Sequence, residues 1–331
     1  MFEWIYEDGI GERRAALVDG GQIIECHVER DDDGVSVGAL CDARILPPDG
    51  GGMTLVRLAG GEEALLSALP SGTSIGTDIL VAVTRSAIAE RDMVKRAKCR
   101  PAPEGAPPRP APTLFERIQA TGTPVRTLHP HEDDALEDAG WSEWSDVALS
   151  GTMAFAGGVL RMALTPAMVV IDVDGTLAAA ELARKGAEAA ARAIRALGIA
   201  GNIVIDLPTQ DSKAGRIAAA EAFDAALPLP FERTAVNGYG LLQIIRHRTG
   251  PSLAERWQFA PVASAALALL RRAERHGARN AGAEMLITAN PAEIAWVSAR
   301  PALVDALTRR TARHMALQAD TAIGIGHGHA I

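Results

Sequence analysis

The sequence predicts an α/β protein, α+β in overall arrangement. A small β-barrel precedes a strand–helix–strand unit, and a small α/β layer closes the chain. Three observations predict this. Short runs that alternate apolar and polar residues recur between glycine turns over residues 3–95. Between residues 158 and 206, apolar strands flank an alanine-rich helical stretch. After residue 260, helix and strand alternate again.

The elements follow in order. "EWIYEDG", "RRAALVDGG" and "QIIECHVER" read as a meander of strands between glycine turns. "DDDGVSVG" is an acidic turn that separates them from the next unit. "GALCDARILP", "MTLVRLAG", "EALLSALP" and "DILVAVTRSAI" are short β-like runs with glycine turns, which suits a five-stranded barrel of the oligonucleotide-binding type. "CRPAPEGAPPRPAP" is rich in proline and reads as an exposed linker. "TLFERIQATG" reads as a short helix capped by Thr113. The polar stretch that follows holds His129, His131, Asp133 and Asp134, read as a solvated loop, and Trp141 and Trp144 at a helical spacing suited to packing.

"GGVLRMAL" and "AMVVIDV" are two strands with Pro166 between them. "AAAELARKGAEAAARAIRALG" is a long helix stopped near Gly198 and Gly201, and "GNIVIDLP" is a buried strand. Such a crossover leaves its two strands parallel, so Asp172 and Asp206 fall at C-terminal strand ends, the edge where α/β sheets place ligands. A second helix follows in "AGRIAAAEAFDAAL". "FERTAVNGYGLLQIIRHR" passes from a strand through a glycine turn into a basic segment. The last unit reads as helix, strand, one helix over "PAEIAWVSARPALVDALTRRTARH", and strand.

Composition narrows the class. The chain has 331 residues, a net charge of −8 and 48% apolar residues, enough for sizeable cores. The charge argues against bulk affinity for nucleic acid but leaves room for a local basic groove. No window of about eighteen residues is free of charge, so no membrane span is expected. The N-terminus lacks the basic start and apolar middle of a signal peptide, and three scattered cysteines form neither a disulfide framework nor a metal cluster. A cytoplasmic protein is the expectation.

The string "DVDGTL" carries Asp172 and Asp174 and looks like the opening motif of haloacid-dehalogenase-type phosphatases. That chemistry needs further partners on later strands, and after Asp206 no Asp pair stands in a strand-end setting. A wider pattern takes in more of the chain. "GGVLRMALTPAMVVIDVDG", "GAEAAARAIRALGIAGNIVIDLP" and "NGYGLLQIIRHRTGPSL" resemble the ribonuclease E/G family in order and spacing. That family has a "GGS" strand leading to "IDxN", a helix with "NLEAA", a "GGxIVID" strand and "RFGLLEMTRxRxxPSL". The stretch "IGTDILVAVTRSAIAERD" resembles the S1-type RNA-binding insertion of these enzymes, "RAALVDGGQIIECHVER" their first segment, and the last seventy or so residues their small C-terminal domain.

The resemblance implies a magnesium-dependent endoribonuclease acting on single-stranded RNA, with manganese as an alternative cation. Its catalytic domain would be of the ribonuclease H type. Asp172 and Asp206 match the two acids that hold the metal, and Asp174 stands where the family has Asn. Arg126 and Thr127 match the start of the sensor for an RNA 5′ end. Arg246 and Arg248 on the catalytic side, and Arg44 and Arg57 on the barrel, are the expected RNA contacts. The family's zinc-binding cysteine pair is replaced by "AERWQFAPVAS", so no zinc is expected, and any homo-oligomer would form without a zinc link. The sensor region is short, "DFID" is "DLPT", "RFG" is "GYG", and Gln243 replaces an acid. The implied organisation is residues 1–34 as first strands of the catalytic domain, 35–98 as the S1-like barrel, 99–112 as linker, 113–260 as the ribonuclease H-like domain with a shortened sensor near 120–150, and 261–331 as a small α/β domain. The alternatives are a non-catalytic RNA-binding relative and the phosphatase.

Overall fold

A computed structural model describes residues 1–48, 53–280 and 282–331. In chain order, β1 (Glu3–Asp8), β2 (Glu12–Asp19) and β3 (Gln22–Arg30) form the opening meander. The barrel strands are β4 (Leu40–Ile45), β5 (Thr54–Leu58), β6 (Glu63–Leu66) and β7 (Asp78–Arg85). A short ladder of β8 (Ile88–Ala89) and β9 (Val94–Lys95) precedes β10 (Ala97–Pro101). Then come α1 (Leu114–Gln119), β11 (Val125–Thr127), α2 (Ala135–Asp138) and α3 (Trp141–Ser150). The middle holds β12 (Thr152–Phe155), β13 (Gly158–Leu164), β14 (Val169–Gly175), α4 (Ala179–Ala196), β15 (Gly201–Asp206), α5 (Lys213–Ala226), β16 (Glu232–Arg233) and β17 (Leu241–Arg246). The end holds α6 (Leu253–Phe259), α7 (Pro261–Arg279), β18 (Glu284–Ala289), α8 (Pro291–Ser298), α9 (Pro301–Thr311), β19 (His314–Ala319) and β20 (His329–Ala330). The architecture is mixed α/β with a closed five-stranded barrel.

The chain divides into two compact units: residues 1–31, 118–150 and 256–331 form one, and residues 32–117 and 151–255 the other. The sequence-based boundaries differ from this. The first strands join residues 118–150 and the C-terminal layer, and the stretch 113–260 is shared between the units. Two kinds of long-range contact, invisible in local pattern, cause the difference. The outer edge of β1 pairs in parallel with β11, Ile5 opposite Arg126. Buried charges on β1 and β2 also meet arginines of α7: Glu7 pairs with Arg275, and Glu12 lies 3.0 Å from Arg271. Ile10 joins Leu269, Leu270, Met285 and Ile287 in the unit's apolar core.

This unit depends on its ionised carboxylates. Burial pushes the Glu12 carboxyl up, but Arg30 and Arg271 more than reverse that and hold it below its ordinary value. Burial likewise raises Asp134, and Arg14 and Arg275 bring it below. Burial raises Glu274, and its ion pair with Arg310 offsets only part of that. Groups with a lowered folded pKa contribute stability above the unfolded carboxylate range, near 4, and lose it as pH falls through the folded value. Glu274 has the opposite sign and flattens the profile at its own pKa. The expected outcome is a melting temperature that drops as pH falls below about 4. A Glu12→Gln variant should be less stable at neutral pH and show a shallower acid decline, checked by melting curves from pH 7 to 3.

In the other unit the barrel runs β10-β6-β5-β4-β7 and closes because β10 pairs with both β6 and β7. Its interior is Ile45, Val56, Leu58, Leu66, Val81 and Cys99, small or branched side chains that fit a narrow bore. The proline-rich stretch corrects the expectation of a free linker. Its first residues form the closing strand, where Pro101 is tolerated at the strand's last position. Arg109 then exchanges two backbone hydrogen bonds with Leu40, at 2.9 and 2.8 Å. Thr113 caps α1 as expected, its hydroxyl accepting from Glu116 N while the Glu116 carboxylate accepts from Thr113 N. The single helix expected over 291–314 is two helices, because Pro301 starts α9 and cannot continue α8.

The six-stranded sheet has the order β12-β13-β14-β15-β17-β16, with β14 and β15 parallel across the α4 crossover and the other neighbours antiparallel. Helix α4 presents Leu182, Ala183, Ala187, Ala190 and Ile194 inward. Gly186 is required at its closest approach: a Cβ there would lie 2.3 Å from Val173 Cγ1. Polar residues are therefore pushed to the sheet's opposite face.

Candidate active site

Strand alternation builds the site. In β14, Ile171 and Val173 are buried towards α4, so Asp172 and Asp174 share the other face. In β15, Ile203 and Ile205 are buried, so Asn202, Val204 and Asp206 share that face too. The parallel register sets Asp172 directly beside Asp206. Their backbones are neighbours at about 4.8 Å, the ordinary strand spacing. Two like charges so placed repel, which makes the pair a site for a cation.

The antiparallel register sets Arg161 of β13 opposite Asp172. Its guanidinium lies 3.5 Å from Asp172 and makes a close ion pair with Asp174. All three side chains are about half exposed, 56%, 48% and 55%, so this pairing is weak and open to exchange. Among the described residues, no three His, Cys, Asp or Glu side chains are gathered closely enough to hold a metal ion. Arg161 accounts for part of that, since it draws Asp172 and Asp174 towards β13, on the side of β14 opposite to β15. Sequence reading passed over Arg161. The signal was present in "GGVLRMAL" as the antiparallel neighbour of "AMVVIDV", but the register needed to pair Arg161 with Asp172 is set by the hairpin turn at 165–168.

The glycine turn "NGYG" abuts the same strand end. Asn237 Oδ1 accepts from Tyr239 N at 2.9 Å and Leu241 N at 3.0 Å, and Leu241 is the register partner of Asp206. Gly240 has φ +92°, and a Cβ there would lie 2.1 Å from Leu207 O, so only glycine lets the turn close on the strand. Tyr239, 81% exposed, sits on this turn, its N–H held by Asn237.

The expected RNA contacts are scattered. Arg246 ends β17 and donates to Ile199 O at 2.7 Å and Ile194 O at 3.4 Å, at and just past the end of α4. Arg248 pairs closely with Glu255, which also accepts from Ser252 N at 2.7 Å. Both guanidiniums are engaged within the fold. On the barrel, Arg44 and Arg57 are cross-strand partners, but each faces an acid, Asp78 at 3.2 Å and Glu63 at 3.5 Å. Arg126 and Thr127 are exposed on β11, in the other compact unit from the carboxylates. The structure therefore sets Asp172 beside Asp206, pairs Arg161 with Asp172 and Asp174, and ties Arg44, Arg57, Arg246 and Arg248 to other partners.

Compared with known proteins, the chain matches no protein-family profile and no curated protein sequence.

Proposed function

We propose that this chain is a magnesium-dependent endoribonuclease that cleaves phosphodiester bonds of single-stranded RNA, as its resemblance to the ribonuclease E/G family implies. One observation carries the reading: Asp172 and Asp206 are register partners on one face at adjacent parallel strand ends. A domain of the ribonuclease H type belongs to the same proposal, supported by a mixed sheet whose crossover ends in carboxylates.

The donor set fits the cation. Two carboxylates, with water and substrate phosphate oxygens completing the shell, suit magnesium, and manganese takes the same oxygen ligands. The Arg161 guanidinium against Asp172 and Asp174 marks the spot as one where positive charge is favourable. Asp172 and Asp206 would hold the metal. Bound there, it would offset charge developing on the phosphate and make a water more acidic. Arg161, freed from Asp172, would bind a phosphate oxygen. Tyr239 would offer a stacking face to a neighbouring base. The barrel would hold RNA mainly through the backbone, since residues 35–95 contain no Phe, Tyr or Trp.

The test uses labelled single-stranded RNA and p-nitrophenyl phosphate, each with magnesium and with chelator. Fragments from RNA in magnesium alone are the expected result. RNA bound but intact would favour the non-catalytic relative, a reading to which the Arg161 pairing also lends itself. Monoester hydrolysis would favour the phosphatase.

Asp174 gives a sharper measurement. Asp174→Asn removes Arg161's nearer partner and leaves that guanidinium to compete at Asp172. It also removes a carboxylate close to the cation. Both effects raise the magnesium needed for half-maximal cleavage, by about threefold to tenfold for a change of about 1 kcal/mol. Cleavage at saturating magnesium should be preserved or improved, because the phosphate meets less negative charge. Loss of cleavage at every magnesium concentration would make Asp174 itself essential.

A further inference from the structure

The face that carries the acids continues into a groove. Its cross-strand rungs can be followed through the sheet. Arg161, Asp172, Asp206 and Leu241 form one rung. Ala163, Val170, Val204 and Gln243 form the next, and Asn202, Ile245 and Glu232 lie one rung further on. From these last two rungs Val204, Gln243, Asn202, Ile245 and Glu232, with Met168, line a groove of about 340 Å³. Same-face rungs are about 6.6 Å apart, so the groove starts one step from the carboxylate pair. A pocket of this size falls in the range that takes a small organic ligand.

The groove's chemistry is specific. Val204, Ile245 and the Met168 thioether give an apolar floor, and Ile245 is 58% exposed. Above the floor stand the side-chain amides of Asn202 and Gln243, both exposed, which make no hydrogen bond to the described residues. The Glu232 carboxylate lies across from Ile245 on the edge strand. Arg233, which also lines the groove, is held by Asp224 at 2.6 Å and by Thr234 O at 2.9 Å. The groove thus offers a flat apolar surface, two groups that both donate and accept, and one that only accepts. Among the described residues that line it, none offers the free positive charge that a phosphate would need.

We infer that this groove is a nucleobase subsite that selects a base with an exocyclic amino group, adenine above all, in the RNA strand crossing Asp172 and Asp206. The inference rests on the nuclease reading above. An amide side chain pairs with adenine through one donated and one accepted hydrogen bond. The adenine amino group has a second hydrogen, which Glu232 accepts. Uracil turns carbonyl oxygens towards Glu232 and is disfavoured. The base lies on the apolar floor while its phosphate reaches the adjacent rung.

The test measures binding of fluorescein-labelled A10 and U10 to the whole chain in chelator, with cleavage of a mixed-sequence RNA in magnesium mapped in parallel. Asn202→Ala, Gln243→Ala and Ile245→Glu are compared at matched melting temperature. Wild type should bind A10 about tenfold more tightly than U10, the size of one paired amide contact. Each alanine variant should cut that preference to about twofold or less, and mapped cuts should lose their bias towards a fixed distance from A. RNA cleaved with no base preference, or a preference untouched by the variants, overturns the subsite and leaves the nuclease reading standing. No RNA bound and none cleaved overturns both. If Ile245→Glu splits an oligomer by light scattering while A10 and U10 bind equally, a second copy of this chain covers the groove and the subsite is wrong.

Discussion

Asp172→Asn and Asp206→Asn should each lower magnesium-dependent RNA cleavage by about a thousandfold, the effect of losing about 4 kcal/mol of charge stabilisation at the phosphate. The change is isosteric. It removes one of two adjacent anionic oxygen donors and leaves the backbone register untouched. Both side chains lie on the open face of the sheet, and no apolar core contact is lost, so stability should change by less than about 0.5 kcal/mol. The two sites should behave alike, because the register makes them equivalent partners in one site. The double variant should be no worse than either single one, as residues acting as a unit are not additive. Measured single-turnover rates with and without added magnesium check this. Full activity in either variant would break the metal assignment.

Glu7→Ala should cost about 3–5 kcal/mol of stability, the largest loss expected of a single change in this protein. Glu7 is 2% exposed and Arg14 fully buried. Arg14 Nε donates to Glu7 at 2.5 Å, and Arg14 Nη2 to Asp134 at 2.6 Å. Asp134 also lies 3.1 Å from Arg275 Nε, and Arg275 closes the ring by donating to Glu7. Two acids and two arginines therefore alternate in a closed cycle that joins β1, β2, the start of α2 and helix α7. Burial pushes the Arg14 guanidinium down, and Glu7, Asp134 and Glu137 outweigh that and hold it above its ordinary value. Arg14 also lies 5.1 Å from the centre of the buried Trp141 ring. Removing Glu7 takes one carboxylate from each of two buried arginines, leaving Arg14 with Asp134 and Glu137 and Arg275 with Asp134. The check is the urea midpoint of Glu7→Ala beside that of Glu7→Gln, which keeps the shape. A loss below about 1 kcal/mol in Glu7→Ala would mean that water reaches the ring.

The legible parts of this fold were those written in short-range pattern. Alternation in "VVIDVD" and "GNIVID", with an alanine-rich helix between them, placed two acids at neighbouring strand ends. Glycine-punctuated runs marked the barrel. What escaped depended on register or on distant partners. Arg161 could be matched to Asp172 only once the hairpin's phase was known. The closing strand of the barrel hid in a proline-rich stretch because Pro101 falls on its last residue, where a missing donor is harmless. Strand β11 is three residues long and earns its place only by pairing with β1. Arg246 and Arg248 looked like phosphate binders by composition, and the strand end that carries them turned Arg246 onto the end of α4 instead.

The interleaving of the two units sets which parts of the chain can fold without the rest. Glu7, Glu12 and Arg30, all in residues 1–31, take partners from residues 256–331. The unit containing 32–117 and 151–255 needs nothing from those final residues for its own barrel and sheet. Without residues 256–331, Glu7 on β1 and Glu12 on β2 lack the arginines of α7. Such long-range closure is slow, and it leaves a partly folded chain open to wrong pairing. A message truncated after codon 255 would therefore yield a chain whose first strands have no core to join, and whose fate is degradation or aggregation.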